Sequence, residues 1–230
     1  MNPFNYKDFL KSKLIVFEGI DGAGKGTHAY NLFHHLVENK EHSLLFTFPS
    51  YLETHSSKII AEALSNPEIK IKPEIMASLF ALDKFEKKNE IEEALKQGCV
   101  VICDRWTYSN IAYQRARCET KEQADKLEKF IYKLEQETYN LPIPTVCLYL
   151  DVSPIMAVKR IEKKNPRKYT DKKKDAYEDD FNLLIRAREN YLSLCKQGLM
   201  IKINTEDKYK GDERTVEEID KEILDVLRIK

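Results

Sequence analysis

The sequence predicts an α/β fold in which a five-stranded parallel sheet is flanked by helices, and three observations predict it. Short runs of β-branched and aromatic residues alternate with longer stretches of helical spacing. That alternation is the signature of βαβ units, whose strands are buried on both faces. A glycine-rich loop ending in lysine lies between the first apolar run and the first helical stretch. No internal repeat and no Gly/Ser linker interrupts the 230 residues, so residues 1–230 read as a single domain. Their number falls between one and two domains of roughly 150 residues.

The elements follow in order. Residues 14–17 form the first strand, apolar and too short for a helix. Residues 27–39 place Ala29, Leu32, Phe33, Leu36 and Val37 on one helical face. Residues 44–48 are the second strand. Residues 75–97 align Ile75, Leu79, Leu82, Ile91, Ala94 and Leu95, and Gly98 is a natural stop. Residues 99–103 make the third strand, 121–138 an amphipathic helix, and 146–150 the fourth strand. A helix over 176–196, a weaker strand over 199–203 and a helix over 216–227 complete the chain. Between two helices, residues 162–175 are rich in Lys and contain Asn, Pro and Arg. Alone, such a run is a solvated loop. Its place after the fourth strand, near the ends where ligands gather in these sheets, makes it a candidate mobile insert.

Composition excludes several function classes. Lys and Arg number 38, as do Asp and Glu, so the formal net charge is zero. Bulk attraction to nucleic acid or to an anionic membrane is not expected. No apolar run reaches the roughly 20 residues of a membrane helix, and the first ten residues do not read as a signal peptide. The five cysteines form no C-x-x-C pair, and Cys99, Cys103 and Cys147 lie in or beside strand-like runs, which suits a reduced, cytoplasmic setting. His28, His34, His35, His42 and His55 lack the spacing of a zinc site.

The chemistry sits first in Gly19-Ile20-Asp21-Gly22-Ala23-Gly24-Lys25-Gly26-Thr27. Gly19, four residues, Gly24 and Lys25 match a phosphate-binding P-loop through its lysine, with a strand ahead and a helix behind. Tight glycine turns aim successive N–H groups at one anion, the helix adds its positive end, and lysine supplies a mobile cation. The fold expected is therefore that of the P-loop NTPases. The residue after lysine is Gly26, where Ser or Thr usually holds Mg²⁺, with Thr27 following. Asp21, Asp104 and Glu178 are the candidate metal ligands in its place. Asp104 ends the third strand, where a carboxylate beside a P-loop helps hold Mg²⁺; the alternative is an Asp104–Arg105 pair capping the next helix.

Four blocks together resemble the thymidylate kinases, which phosphorylate dTMP with ATP. They are residues 17–27, Phe48-Pro49, the run Asp104-Arg-Trp-Thr-Tyr-Ser-Asn-Ile-Ala-Tyr-Gln114, and residues 151–160. The third block discriminates, because a P-loop alone does not separate kinases from GTPases. The resemblance implies Mg²⁺ as cofactor, ATP as donor and a homodimer. It implies that Lys25 and the loop from Gly19 to Thr27 cradle ATP, that Asp21 sits near the acceptor's sugar and phosphate, and that Arg105 clamps the dTMP phosphate. Phe80 would stack on thymine, Lys84 would stand where an arginine commonly reads its carbonyl, and Ser109, Asn110 and Gln114 fall on the acceptor side. Tyr113 would crowd the ribose 2′ position, and Phe48 with Pro49 would form the acceptor-side turn. Arg160 would lie against adenine, or be an ordinary surface arginine. Residues 162–175 would be the lid, with Arg167 its catalytic arginine, since Gly22 and Ala23 supply none. Two alternatives stay open: a kinase for another nucleoside monophosphate such as dUMP, and a nucleotide-binding regulator without turnover.

Overall fold

The computed structural model describes residues 13–66, 68–163, 180–207 and 212–229. Strands β1 (Leu14–Glu18), β2 (Ser43–Thr47), β3 (Val100–Asp104), β4 (Val146–Asp151) and β5 (Ile201–Asn204) form one sheet in the order β2-β3-β1-β4-β5. Every neighbouring pair is parallel. Each strand lies within two residues of its expected place, the ends shifting because hydrogen-bond register, not hydrophobicity, terminates a strand.

All five residues of β1 are buried. Its apolar side chains each contribute about 1.5–3 kcal/mol by leaving water, which explains why the sheet's middle strand is so uniformly hydrophobic. The chain lays β2 and β3 on one side of β1, then β4 and β5 on the other. That reversal opens a crevice at the carboxyl end of β1, where the glycine loop begins.

Helices α1 (Lys25–Glu38), α2 (His55–Ser65), α3 (Pro73–Lys96), α4 (Thr107–Ala116) and α5 (Lys121–Tyr132) come before β4. Helices α6 (Pro154–Glu162), α7 (Phe181–Lys196) and α8 (Val216–Leu227) follow it. Reciprocal capping boxes start three of them: Thr54 with Ser57, Thr120 with Gln123, and Thr215 with Glu218. α5 runs on as a π-helical segment, Lys133–Thr138, where the sequence predicts α-helix throughout. Helix α2 has no counterpart among the expected elements; its interior face, Ile60, Ala63 and Leu64, packs with Met76 of α3 in a small second core.

Two expected core faces hold except at three positions. Val37 on α1, and Ile75 and Leu82 on α3, are exposed. Of the expected α3 stripe, Ile91 and Ala94 are buried and Leu79 and Leu95 pack partly buried against the cores; Met76, Ala77 and Ala81 are buried as well, with the polar Asp83 and Lys84. A periodicity count favours the most apolar stripe, whereas α3 turns a polar pair inward for a reason that lies at the site. The proposed lid falls almost wholly on 164–179, outside the described residues, and so do Arg167 and Glu178.

Candidate active site

Residues 19–24 leave β1 and turn into α1. Gly19, Gly22 and Gly24 adopt φ of 148°, 81° and 93°, in the region that L side chains avoid. Space is as restrictive as torsion at two of them. A Cβ on Gly19 would stand 2.7 Å from the Leu150 carbonyl oxygen, and one on Gly22 would stand 2.4 Å from that of Ala157. The loop is thereby wedged between β4 and α6. Lys25 opens the helix and folds back, donating from Nζ to the Ile20 carbonyl at 2.9 Å. Gly26 and Thr27 are exposed on the first turn.

Arg105 follows β3 at φ 74°. A bulky residue in this conformation stores strain of about 1–3 kcal/mol, and here the strain turns the side chain toward the loop. Nη1 donates to the Gly19 carbonyl at 3.0 Å and to Ser109 Oγ at 3.2 Å, and Nη2 donates to Asp21 Oδ1 at 2.7 Å. Tyr113, on α4, donates from its hydroxyl to Asp21 Oδ2 at 2.6 Å and accepts from the Asp21 amide at 2.9 Å. The guanidinium also lies 5.2 Å from the Tyr113 ring centroid. Burial opposes the Arg105 charge, but Asp21 holds its pKa well above the ordinary value. Burial also pushes the Tyr113 phenol well up, so it stays neutral.

Behind Arg105 lies Glu18, fully buried at the end of β1. It accepts from the Trp106 amide at 3.0 Å, from Tyr191 at 3.1 Å, and by a short bond from Ser109. Burial raises its pKa despite those bonds and the nearby Arg105 charge. Ser109 is therefore a strut between Arg105 and Glu18.

Most of the residues expected on the acceptor side gather around one open cleft. Asp21, Arg105, Ser109 and Tyr113 form its polar end, and Phe48, Pro49, Phe80, Lys84 and Asn110 line more of its wall. The Phe48 amide donates to the Asp104 carbonyl at 2.9 Å, fixing the chain as it leaves β2. Asp83 anchors the following turn, accepting from the Ser50 amide at 2.9 Å and from the Ser50 and Thr54 hydroxyls at 2.5 and 2.6 Å. Lys84 lines the cleft but its Nζ also lies 2.9 Å from Glu135 Oε1. Gln114 is fully buried and does not line the cleft; its Oε1 accepts from Arg117 at 2.8 Å.

Asp104 suits a metal. Its Oδ1 is buried with no hydrogen-bond partner among the described residues, and its Oδ2 lies 3.1 Å from where a Cβ on Gly26 would be. Glycine there leaves open the ground between the loop and this carboxylate. Asp21, by contrast, is engaged by Arg105 and Tyr113. Arg160 flanks the loop from α6, donating to the Gly22 carbonyl at 3.4 Å and to Thr205 Oγ1 and its carbonyl at 3.1 Å each.

The cleft also uses residues the sequence did not single out. Tyr51, Leu64 and Trp106 line it, and only Trp106, inside the Asp104–Gln114 block, had a sequence signal. Glu135 supports it from below. The buried stripe Ala124, Leu127 and Ile131 continues at helical spacing to Glu135, so a carboxylate in the place of a core residue is the signal that would have found it.

Comparison with known proteins bears on this geometry. A sequence profile of the thymidylate kinase family matches residues 17–218. A probable thymidylate kinase of Staphylothermus marinus is 33% identical over 207 residues, covering 89% of this chain and 92% of that one. One from Methanocaldococcus jannaschii is 34% identical over 221 residues, 95% and 97% of the two chains. The thymidylate kinase of Mycobacterium tuberculosis is 32% identical over 187 residues, 80% and 86%. The solved thymidylate kinase of Candida albicans superposes with a TM-score of 0.74 at 23% identity, covering 95% of this chain and 92% of that one.

Proposed function

The chain belongs to the thymidylate kinase family, and from that premise we propose that it moves the γ-phosphoryl group of Mg·ATP to the phosphate of dTMP, giving dTDP and ADP. One observation carries the reading. Lys25 Nζ and Arg105 Nη1 are anchored on adjacent carbonyls of one loop, Ile20 and Gly19. One cation faces the donor side and the other the acceptor side, so donor and acceptor phosphates would meet across a single turn of backbone.

The acceptor is already an anionic phosphate, so no protein base is required. Catalysis is alignment and charge neutralisation. Lys25 and the loop amides bind the donor's phosphates; Arg105, held in place by Asp21 and Ser109, orients the acceptor's. Tyr113, tied to Asp21 at both its own oxygen's roles, stiffens the sugar end of the cleft. Mg²⁺, when bound, neutralises charge on the donor's phosphate oxygens, and Asp104 is the residue that would hold it. Arg160, bonded to Gly22 and Thr205, supports a place for the adenine beside the loop. The lid role of residues 162–175, with Arg167 as the closing cation, completes the proposal from sequence alone.

The reading extends to a homodimer and a single domain. Ile75, Leu82 and Phe85 are exposed on one face of α3 at spacings of seven and three residues, an apolar stripe suited to a second copy. Among the described residues no helix is long and apolar enough to cross a membrane. All five cysteines are free thiols, which supports a reducing, cytoplasmic setting. The test of the reaction is the fate of label: with γ-labelled ATP and dTMP, the label should appear in dTDP. Label released as inorganic phosphate, with dTMP unchanged, would overturn the proposal.

A further inference from the structure

We infer that Glu135 is a positioning residue that sets the base selectivity of the acceptor cleft, acting through Lys84 and Asn110; the inference rests on the acceptor reading above. Glu135 is fully buried on the π-helical segment and does not itself line the cleft. Its Oε1 receives two groups that do: Lys84 Nζ at 2.9 Å and Asn110 Nδ2 at 2.8 Å. Both side chains are buried, Lys84 at 2% and Asn110 at 3% exposure.

The consequence is a fixed polarity. Asn110 Nδ2 donates to Glu135 Oε1 and to the Ala77 carbonyl at 2.9 Å. Both partners accept only, so the amide cannot flip. Its Oδ1 is thereby turned away from them and has no partner among the described residues. A buried acceptor without a donor is costly, and a ligand that brings a donor relieves it. The Lys84 ammonium, a donor only, sits on the same Glu135 oxygen as the Asn110 amide nitrogen. Together they present one acceptor and one donor, which match a pyrimidine carrying N3–H next to a 4-oxo group. A 4-aminopyrimidine presents the reverse pattern on both counts.

Glu135 is what holds this pattern. Its charge keeps an ammonium in a place where an isolated one would be expelled or neutralised. A buried ion pair is a poor source of stability against apolar packing, so its presence on a core stripe points to selectivity.

The test is steady-state kinetics of Glu135→Gln with dTMP, dUMP and dCMP as acceptors. Glutamine has the same shape but no charge. The KM for dTMP should rise about tenfold or more, with kcat changed by less than about threefold and the KM for ATP unaltered. The ratio of kcat/KM for dTMP over dCMP should fall by about tenfold, and dUMP should follow dTMP. A merely structural role would instead lower the melting temperature and cut all three acceptors in proportion, leaving the ratio unchanged, and that result would overturn the inference. Should Glu135→Gln fail to fold, Lys84→Met with Glu135→Leu removes both charges at once. That protein should have lost the dTMP-over-dCMP preference; retaining it would also overturn the inference. Wild-type protein that uses dCMP as well as dTMP would show, before any substitution, that the acceptor reading itself is wrong.

Discussion

Replacing Gly22 by alanine tests whether the loop is wedged where the activity needs it. The new Cβ would stand 2.4 Å from the Ala157 oxygen, 2.8 Å from its Cα and 2.9 Å from its carbonyl carbon, at φ 81°. Ordinary contact begins near 3.4 Å, so the loop and α6 must part by about 1 Å. Holding an L residue in the left-handed region costs about 1–2 kcal/mol, and overpacking adds about 1–3 kcal/mol. The sum of about 2–5 kcal/mol lowers the melting temperature by about 4–20 °C at about 2–4 °C per kcal/mol. Gly98→Ala is the matched control, because Gly98 has φ 84° and nothing within 4 Å of its Cβ position. It should show the torsional part alone, about 2–8 °C. Trimming Ala157 would not relieve the clash, since the crowded atoms are backbone. A displacement of about 1 Å under the phosphates should reduce turnover about a hundredfold, whereas Gly98→Ala should keep near wild-type turnover. Calorimetry and ADP release measure both. Gly22→Ala melting with Gly98→Ala and turning over normally would refute the argument.

Three further outcomes follow from the same geometry. Arg105→Lys loses the fork that spans Gly19, Ser109 and Asp21, so kcat/KM for dTMP should fall about a hundredfold while a nucleotide-binding titration shows the ATP affinity little changed. Asp104→Asn removes a charge whose Oδ1 has no partner among the described residues; the Mg²⁺ concentration for half-maximal activity should rise about tenfold with little change in melting temperature. The third concerns pH. Burial opposes the charge of Glu86, but the Ser56 hydroxyl and the Ser56 and His55 amides outweigh it and lower the carboxyl to about 2 from 4.5. A depressed carboxylate stabilises the fold fully above its unfolded value and loses that contribution as pH falls. The stability gap between wild type and Glu86→Gln should be constant near neutrality and close between pH 4.5 and about 2, read by denaturant unfolding at each pH.

The sheet was legible because its three middle strands, β1, β3 and β4, are buried on both faces, so hydrophobic runs mark them, while the edge strands β2 and β5 are largely exposed and carry a weaker signal. β1, buried at all five positions, is the clearest case. The loop was legible because Gly19, Gly22 and Gly24 each answer a backbone demand, and Arg105, Asp21 and Tyr113 came from the block pattern and do meet in space. What was not legible depended on contacts between distant segments. Helix α2 is short and held by Asp83 and Glu86 from α3 at its N-terminus, partners 29 and 30 residues away that periodicity does not register. On α3 the expected Ile75 and Leu82 are exposed while Asp83 and Lys84 are buried, because the partners of these two polar groups lie far away in sequence. Gln114 sits inside the discriminating block yet turns to Arg117, since one turn of helix carries it past the cleft wall.

The most direct measurement of the central claim is ADP release with Mg·ATP and each of dTMP, dUMP, dCMP, dGMP and AMP, for wild type and Lys25→Ala. The account predicts turnover that prefers dTMP and that vanishes in Lys25→Ala, whose Nζ is the cation anchored on the Ile20 carbonyl. Turnover with AMP alone, or ATP binding with no turnover on any acceptor, would contradict it.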